Sequence, residues 1–360
     1  MTVQNRLYLD HAATTPVLPE ARTAVAQALD RWANPSSPHA DGRASRAALE
    51  QARRDIADAL GWRHDIILTS GATEAIAIAA ARARVAGRSF SATEHDAVGA
   101  AMGSEATILP VDEAGAVDLP QLRAALSRGP TLVAVQQVNN ETGVIQPLME
   151  IAELIRSAGS LLLADCAQGA GKLPLPDADF IAVSAHKLGG PPGIGALLVK
   201  DVAMLAASGG QEKGYRRGTE NGPAAAGFAA ALQSRAFADA MSRFEQHRNK
   251  LEHLLFSEGA LGIASAAERS PAIGAYAMPG VASASQLVQF DLAGIAISAG
   301  SACSSGSMKP SRVLEAMGVP ADIAGTVIRV SFGPDTTDED IHSFVSEWRR
   351  IRDRAASRAA

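Results

Sequence analysis

The chain has 360 residues, 47% hydrophobic and 20% charged, which excludes a disordered chain and fits about two domains. A formal net charge of −5 argues against non-specific nucleic-acid binding, and two cysteines, Cys166 and Cys303, are too few for a disulfide framework or a cysteine-rich zinc site. No apolar run reaches membrane-spanning length and the first ten residues carry no signal-peptide core, so no membrane is expected as a partner and a cytoplasmic location is.

In chain order, residues 66–68 read as a strand and 74–85 as a helix. Residues 132–135 read as a strand, 148–158 as a helix, and 161–164, 180–183 and 196–199 as three further strands. These strands are continuous apolar runs, the pattern of a sheet covered on both faces. Their alternation with helices predicts an α/β domain with a mostly parallel sheet, whose ligands bind beyond the carboxyl ends of the strands. No Pro or Gly falls between Gly227 and Gly259, so residues 228–255 are expected to form one long helix. It leads into a smaller α+β domain with strands at 274–278 and 327–332 and a closing helix at 337–354.

Chemistry is therefore sought where the strands end. After 66–68 comes Thr69-Ser70-Gly71-Ala72-Thr73-Glu74. Gly71 permits a tight turn, Ser70 or Thr73 can cap the next helix, and Glu74 favours its first turn. The N–H groups of such a turn suit a phosphate, though a plain capped turn explains these residues better when they are taken alone. Asp165 ends the next relevant strand, ahead of Cys166, Ala167 and Gln168; a carboxylate there can serve a metal, a ribose, a protonated ring nitrogen or a helix cap. Ser184-Ala185-His186-Lys187 follows the strand at 180–183. Most of the six lysines read as surface, but Lys187 lies between an apolar strand and a Gly/Pro-rich loop. Desolvation there favours a nucleophilic amine or Schiff base.

Other motifs fail. Gly193-Ile194-Gly195 lacks a third glycine and precedes a strand, against a dinucleotide fingerprint. The histidines show no H-E-x-x-H spacing, so no catalytic metal is expected. What remains is a phosphate-capable turn, then an Asp, then a Ser-x-His-Lys segment. That is the order pyridoxal phosphate requires, with a cradle, a carboxylate for the pyridine nitrogen and a lysine for the aldehyde.

With these residues assembled, the sequence resembles the cysteine desulfurases of the nitrogen-fixation and iron–sulfur-cluster type, in the class V aminotransferase family. The resemblance spans nearly the whole chain. Its motifs are Tyr8-Leu9-Asp10-His11-Ala12-Ala13-Thr14-Thr15-Pro16, Asn34-Pro35-Ser36-Ser37-Pro38-His39, the Thr69 to Glu74 turn, Thr93-Glu94-His95, Val138-Asn139-Asn140-Glu141-Thr142-Gly143, Asp165-Cys166-Ala167-Gln168, Ser184-Ala185-His186-Lys187, Arg216-Arg217-Gly218-Thr219-Glu220-Asn221 and Ser298-Ala299-Gly300-Ser301-Ala302-Cys303-Ser304.

The resemblance implies the pyridoxal-phosphate-dependent transferase fold (fold type I). A large domain over 12–238 would hold a mostly parallel seven-stranded sheet. A smaller α+β domain, from 1–11 and 239–360, would carry the catalytic cysteine loop. It implies L-cysteine as substrate and L-alanine as product, with sulfur leaving as a persulfide on Cys303 toward iron–sulfur cluster or related assembly. Lys187 would form the Schiff base, Asp165 would pair with the pyridine nitrogen and Gln168 with the phenolic oxygen. His95 would stack on the ring and shuttle protons. Ala72, Thr73, Ser184 and His186 would hold the phosphate, joined by Thr219 from the other subunit of a homodimer. Asn140 and Arg329 would grip the substrate carboxylate.

The residues themselves add to this. In the strand at 327–332 alternation puts Ile328 and Val330 opposite Arg329, whose guanidinium suits a carboxylate, although an exposed strand arginine fits the pattern too. Residues 298–307 are almost all Ser, Ala and Gly, a composition that predicts a movable loop around Cys303. Cys166 follows an apolar strand and reads as packing. The sequence departs from the family at Ala75-Ile76-Ala77 and at Ser208. It closes at Ala360 without the longer tail by which housekeeping relatives dock a scaffold, so a scaffold partner rests on the family alone. The rival readings are a selenocysteine lyase or another β-eliminating enzyme on the same fold, a nucleotide-binding oxidoreductase, and a non-catalytic scaffold or sensor that kept the fold.

Overall fold

A computed structural model describes residues 6–300 and 311–359, so Cys303 lies outside the described residues. The first part of the chain runs through β1 (Leu7–Tyr8), α1 (Pro19–Leu29), α2 (Ala40–Leu60), β2 (Asp65–Thr69), α3 (Ala72–Arg82), β3 (Gly87–Ser91), α4 (Asp96–Met102), β4 (Thr107–Leu109), α5 (Leu119–Leu126), β5 (Thr131–Gln136), α6 (Leu148–Ser157), β6 (Leu161–Asp165), β7 (Phe180–Ser184) and β8 (Gly195–Val199). Seven of these strands form one sheet in the order β2-β8-β7-β6-β5-β3-β4. β8 pairs antiparallel with β2 and β7, and the remaining pairs are parallel. The expected mostly parallel α/β sheet is therefore present.

Both faces of this sheet are buried, and successive residues divide between them. Val133, Val135, Leu162, Ala164, Ile181 and Val183 face a core shared with Ile151 and Ile155 of α6 and Leu49 and Ile56 of α2. Leu132, Ala134, Leu163, Phe180, Ala182 and Leu197 face a second core shared with Ile76 and Ile78 of α3 and Val98 of α4. Strands sandwiched in this way have no polar face, which is why they read as continuous apolar runs. β3 and β4 escaped that reading. β3 is Gly-Arg-Ser-Phe-Ser, and β4 is a three-residue strand at the edge of the sheet with Ile108 exposed.

The helix expected over 228–255 is two helices, α7 (Gly222–Gln233) and α8 (Ala236–Ser257). The break needs neither Pro nor Gly. Ser234 Oγ donates to Ala231 O at 2.7 Å and accepts from Ala236 N–H at 3.3 Å, while Arg235 turns to φ +56°. A serine bonding back to its own backbone competes with helix continuation.

The rest of the chain holds β9 (Leu261–Gly262), β10 (Ile273–Ala277), α9 (Ser283–Leu292), β11 (Ile295–Ala296), α10 (Arg312–Ala316), α11 (Ala321–Ala324), β12 (Val327–Ser331) and α12 (Asp338–Ala359). β12, β10 and β9 form an antiparallel sheet, and β1 pairs parallel with β11. Asp10, just after β1, bridges to Ser331 of β12, so the two ends of the chain meet beside the large sheet.

Candidate active site

A cavity of about 470 Å³ opens where the turns after β2, β3, β5, β6 and β7 converge. This is the size of a small-ligand pocket, and it lies at the carboxyl edge of the sheet.

One end is the start of α3. Neither Ser70 nor Thr73 caps it, contrary to expectation. The cap position is Gly71 at φ +153°, with no side-chain hydrogen bond, while Glu74 reaches back to take the Ser70 N–H at 2.5 Å. The first-turn N–H groups have no intrahelical acceptor, so the uncapped turn at Ala72 and Thr73 presents donors and the positive end of the helix dipole. Ser184, at the end of β7, has its Oγ 3.7 Å from where a Gly71 Cβ would stand. His186 Nδ1 lies 3.1 Å from Thr14 Oγ1. Burial first, then the nearby Lys187 and Lys172, pull His186 down to about 4, so it is a neutral imidazole at neutral pH. Ala72, Thr73, Ser184 and His186 all line this end of the cavity.

The middle carries an amine, a carboxylate and an imidazole. Lys187 closes the single helical turn Ala185–Lys187, and its Nζ donates to Ala12 O at 2.6 Å and Ala13 O at 2.8 Å. Asp165 ends β6 and is buried. Its Oδ1 accepts from Ala167 N–H at 2.9 Å. Burial raises its carboxyl above the usual range, against the Ala167 N–H and the charges of His95 and Lys187. Gln168 donates its amide to Ala12 O at 2.8 Å, and its Oε1 is buried without a partner. His95 caps α4, with Nδ1 accepting from Ala97 N–H at 3.2 Å. That bond places the proton of the neutral ring on Nε2.

The far wall comes from the chain ends. Arg329 of β12 is 4% exposed, which rules out the exposed strand arginine. Its Nη1 donates to Asn140 O and its Nη2 to Asp10 Oδ1, both at 2.8 Å. Asp10 Oδ2 accepts from Ser298 Oγ at 2.9 Å. Arg329 Nε is buried and unpartnered. Asn140 and Arg329 both line the cavity. Thr219 does not, and is exposed on the loop before α7.

Three groups were missed. Glu94 lines the cavity floor, fully buried. Its Oε1 accepts from Gln136 N–H at 2.7 Å and its Oε2 has no partner. Burial, with Asp165 adding to it, pushes its carboxyl well above the usual range. The Thr-Glu-His motif was the signal that pointed there. His11 is half-buried between Tyr8, Phe237 and Gly333 and is pulled down to about 4, by desolvation first and then by Lys172. Lys172 has the surface-like context Gly-Lys-Leu-Pro, yet is only 8% exposed. Cys166 is buried in the core as expected, and burial raises its thiol well above its usual range.

Among the described residues no cluster of three His, Cys, Asp or Glu is arranged to hold a metal, and no helix is long and apolar enough to cross a membrane. The family description "Aminotransferase class-V" matches residues 7–344. A protein from Bradyrhizobium diazoefficiens named cysteine desulfurase is 38% identical, over 98% of this chain and 96% of its own. A solved structure of a NifS-like protein from Rickettsia africae superposes with a TM-score of 0.88 at 29% identity, covering 97% of this chain and all of that one. Another, described as SspA in complex with cysteine, gives 0.78 at 28% identity over 92% of this chain and 100% of its own.

Proposed function

The chain belongs to the class-V aminotransferase family, among its pyridoxal-phosphate-dependent cysteine desulfurases, and we propose that its cavity takes sulfur from L-cysteine, releases L-alanine and passes the sulfur to Cys303 as a persulfide. The observation that carries this reading is the convergence on one cavity of an uncapped helix N-terminus, a buried carboxylate and a half-buried lysine amine.

The residues fit the cofactor. Donors without acceptors at Ala72 and Thr73, with Ser184 and His186 beside them, suit a phosphate dianion. A carboxylate as buried as Asp165 is costly unless a cation meets it, and a protonated ring nitrogen is such a cation. The unpartnered Gln168 Oε1 marks a polar position on the same wall that a bound group would complete once the amide turns. When bound, pyridoxal phosphate supplies an electron sink next to the substrate's α-carbon.

The protein's own groups do the rest. Arg329 and Asn140 hold the substrate carboxylate, with Asp10 orienting the guanidinium. Lys187 would hold the cofactor, and its free amine would move protons at the substrate. Nε2 of His95 is the second proton carrier, oriented by the Ala97 N–H at Nδ1, and its ring would lie against the cofactor. The Cys303 thiolate attacks the substrate sulfur. An S–S bond forms, the C–S bond breaks with its electron pair left on carbon, and a proton delivered to that carbon completes L-alanine. One thiol is oxidised to the persulfide as the C–S bond is reduced, so no outside redox agent is needed.

Thr219 lies away from its own cavity on an exposed loop, which supports a homodimer in which it reaches the partner's phosphate site. Residues 12–238 form the cofactor-binding unit in this reading, with 1–11 and 239–360 the smaller unit that carries Cys303. The acceptor is an iron–sulfur scaffold or a related protein in the reducing cytoplasm. Cys303→Ala is the test. It should keep the visible absorbance of the bound cofactor and lose sulfide release with dithiothreitol. Full retained release would remove Cys303 from the reaction, and a protein that binds no pyridoxal phosphate would overturn the whole reading.

A further inference from the structure

Lys172 is a buried lysine that the reaction outlined above does not use. It lies in the turn after β6, and no carboxylate pairs with it among the described residues. Its Nζ sits 4.7 Å above the Phe237 ring, a cation–π contact that replaces only part of the lost hydration. Replacing such a group by an apolar side chain of similar volume commonly stabilises a protein. A lysine retained there asks for a use.

Its surroundings lead to Lys187 by two routes. The Phe237 ring that carries Lys172 on its face has His11 at its edge, 6.3 Å between centroids, and His11 adjoins Ala12, whose carbonyl receives Lys187 Nζ. On the other side Gly171 packs where a Cβ would be 3.5 Å from Leu188 Cδ2, one residue beyond Lys187.

We propose that Lys172 is a positioning residue for Lys187, setting a second positive charge behind the cofactor lysine and so weakening the hold of the Lys187 nitrogen on a proton. This rests on Lys187 being the residue that binds the cofactor. An amine must shed its proton to attack an aldehyde or to act as a base, and a neighbouring cation is one established way to achieve that. The electrostatics agree. Burial first and Lys187 second bring Lys172 down to about 7, and Lys172 in turn contributes to holding His11 and His186 near 4. Among the described residues, the groups facing this pair include His11 and His186, both neutral at neutral pH, Tyr8 at the edge of His11, and Asp165, whose charge acts on Lys187 from the cavity side. Asp165 pulls the Lys187 proton in and Lys172 pushes it out.

The test is a pH titration of the holoenzyme's visible absorbance, which follows protonation of the Lys187–cofactor nitrogen without any turnover. Lys172→Met should move the midpoint up by about one pH unit, near tenfold in proton affinity, while Lys172→Arg keeps the wild-type midpoint. Should the Met variant not fold, Lys172→Gln reads the same shift. An unchanged midpoint in the neutral variants overturns the proposal. A wild-type band that persists in Lys187→Ala would instead overturn the assignment of Lys187.

Discussion

Replacing Gly195 by alanine adds one methyl group far from any reacting atom and yet should loosen the cofactor. The new Cβ would stand 2.3 Å from Val183 O, 2.6 Å from Gly71 Cα and 2.9 Å from Gly71 C. All are backbone atoms, so no side chain can turn aside. β8 cannot retreat, because it is paired along its length to β2 on one side and β7 on the other. β7 at Val183 and the Gly71 turn must both give way, the turn by roughly 0.8 Å to reach an ordinary contact. That turn begins α3, so the donors at Ala72 and Thr73 move away from Ser184. Losing one charge-assisted hydrogen bond of about 1.5–3 kcal/mol predicts cofactor binding about ten- to a hundredfold weaker. Overpacking should cost about 1–3 kcal/mol of stability besides. Loss of visible absorbance from the holoenzyme on dilution or dialysis measures the affinity. Gly99→Ala is the control, since its Cβ meets only Phe90 at 3.5 and 3.6 Å, inside a helix where alanine is preferred. If Gly195→Ala holds pyridoxal phosphate as tightly as the parent, the close approach of β8 does not set the phosphate site.

Three further outcomes follow from the structure. Glu212 is buried, receives Arg53 through both oxygens at 2.6 and 2.9 Å, and takes the Leu68 N–H at 2.8 Å. Glu212→Gln should therefore cost about 3–5 kcal/mol in urea unfolding, and a loss near zero would show that Glu50 alone satisfies Arg53. His11 and His186 bind protons near pH 4 when folded but near 6.5 when unfolded, so the stability each contributes is full above pH 6.5 and falls as the pH drops toward 4. A melting temperature flat from pH 7 to 4 would contradict this. Cys166→Ala should leave sulfur release unchanged, because the thiol is sealed in the core and held protonated; parallel assays with Cys303→Ala would expose any exchange of roles.

The large sheet was legible because burial on both faces writes itself into the sequence as unbroken apolar runs, as at Thr131–Gln136 and Phe180–Ser184. β3 and β4 were illegible for the opposite reason, one carrying Arg and Ser and the other lying at the edge. The helix break at Arg235 was hidden because a serine side chain makes it, leaving no breaker residue to read. Asp165 and Lys187 could be found because each stands at or just beyond the end of an apolar strand, whereas His95 follows the illegible β3 and was reached only through the family motif. Lys172 could not. Its Gly-Lys-Leu-Pro context describes a turn, and only tertiary packing puts Phe237 beneath its ammonium. Glu94 stood in a recognised motif, but its burial depends on Gln136 and Asp165 arriving from other strands.

The ion pair between Arg329 and Asp10 spans 319 positions of the chain. Every strand of the large sheet has been synthesised by Val199, so the sheet can begin to assemble while translation continues. The substrate side cannot, because its guanidinium arrives only with β12. The two sides of the cavity thus come from opposite ends of synthesis. The enzyme becomes competent to mobilise sulfur only once its last strand has left the ribosome and docked against its first residues.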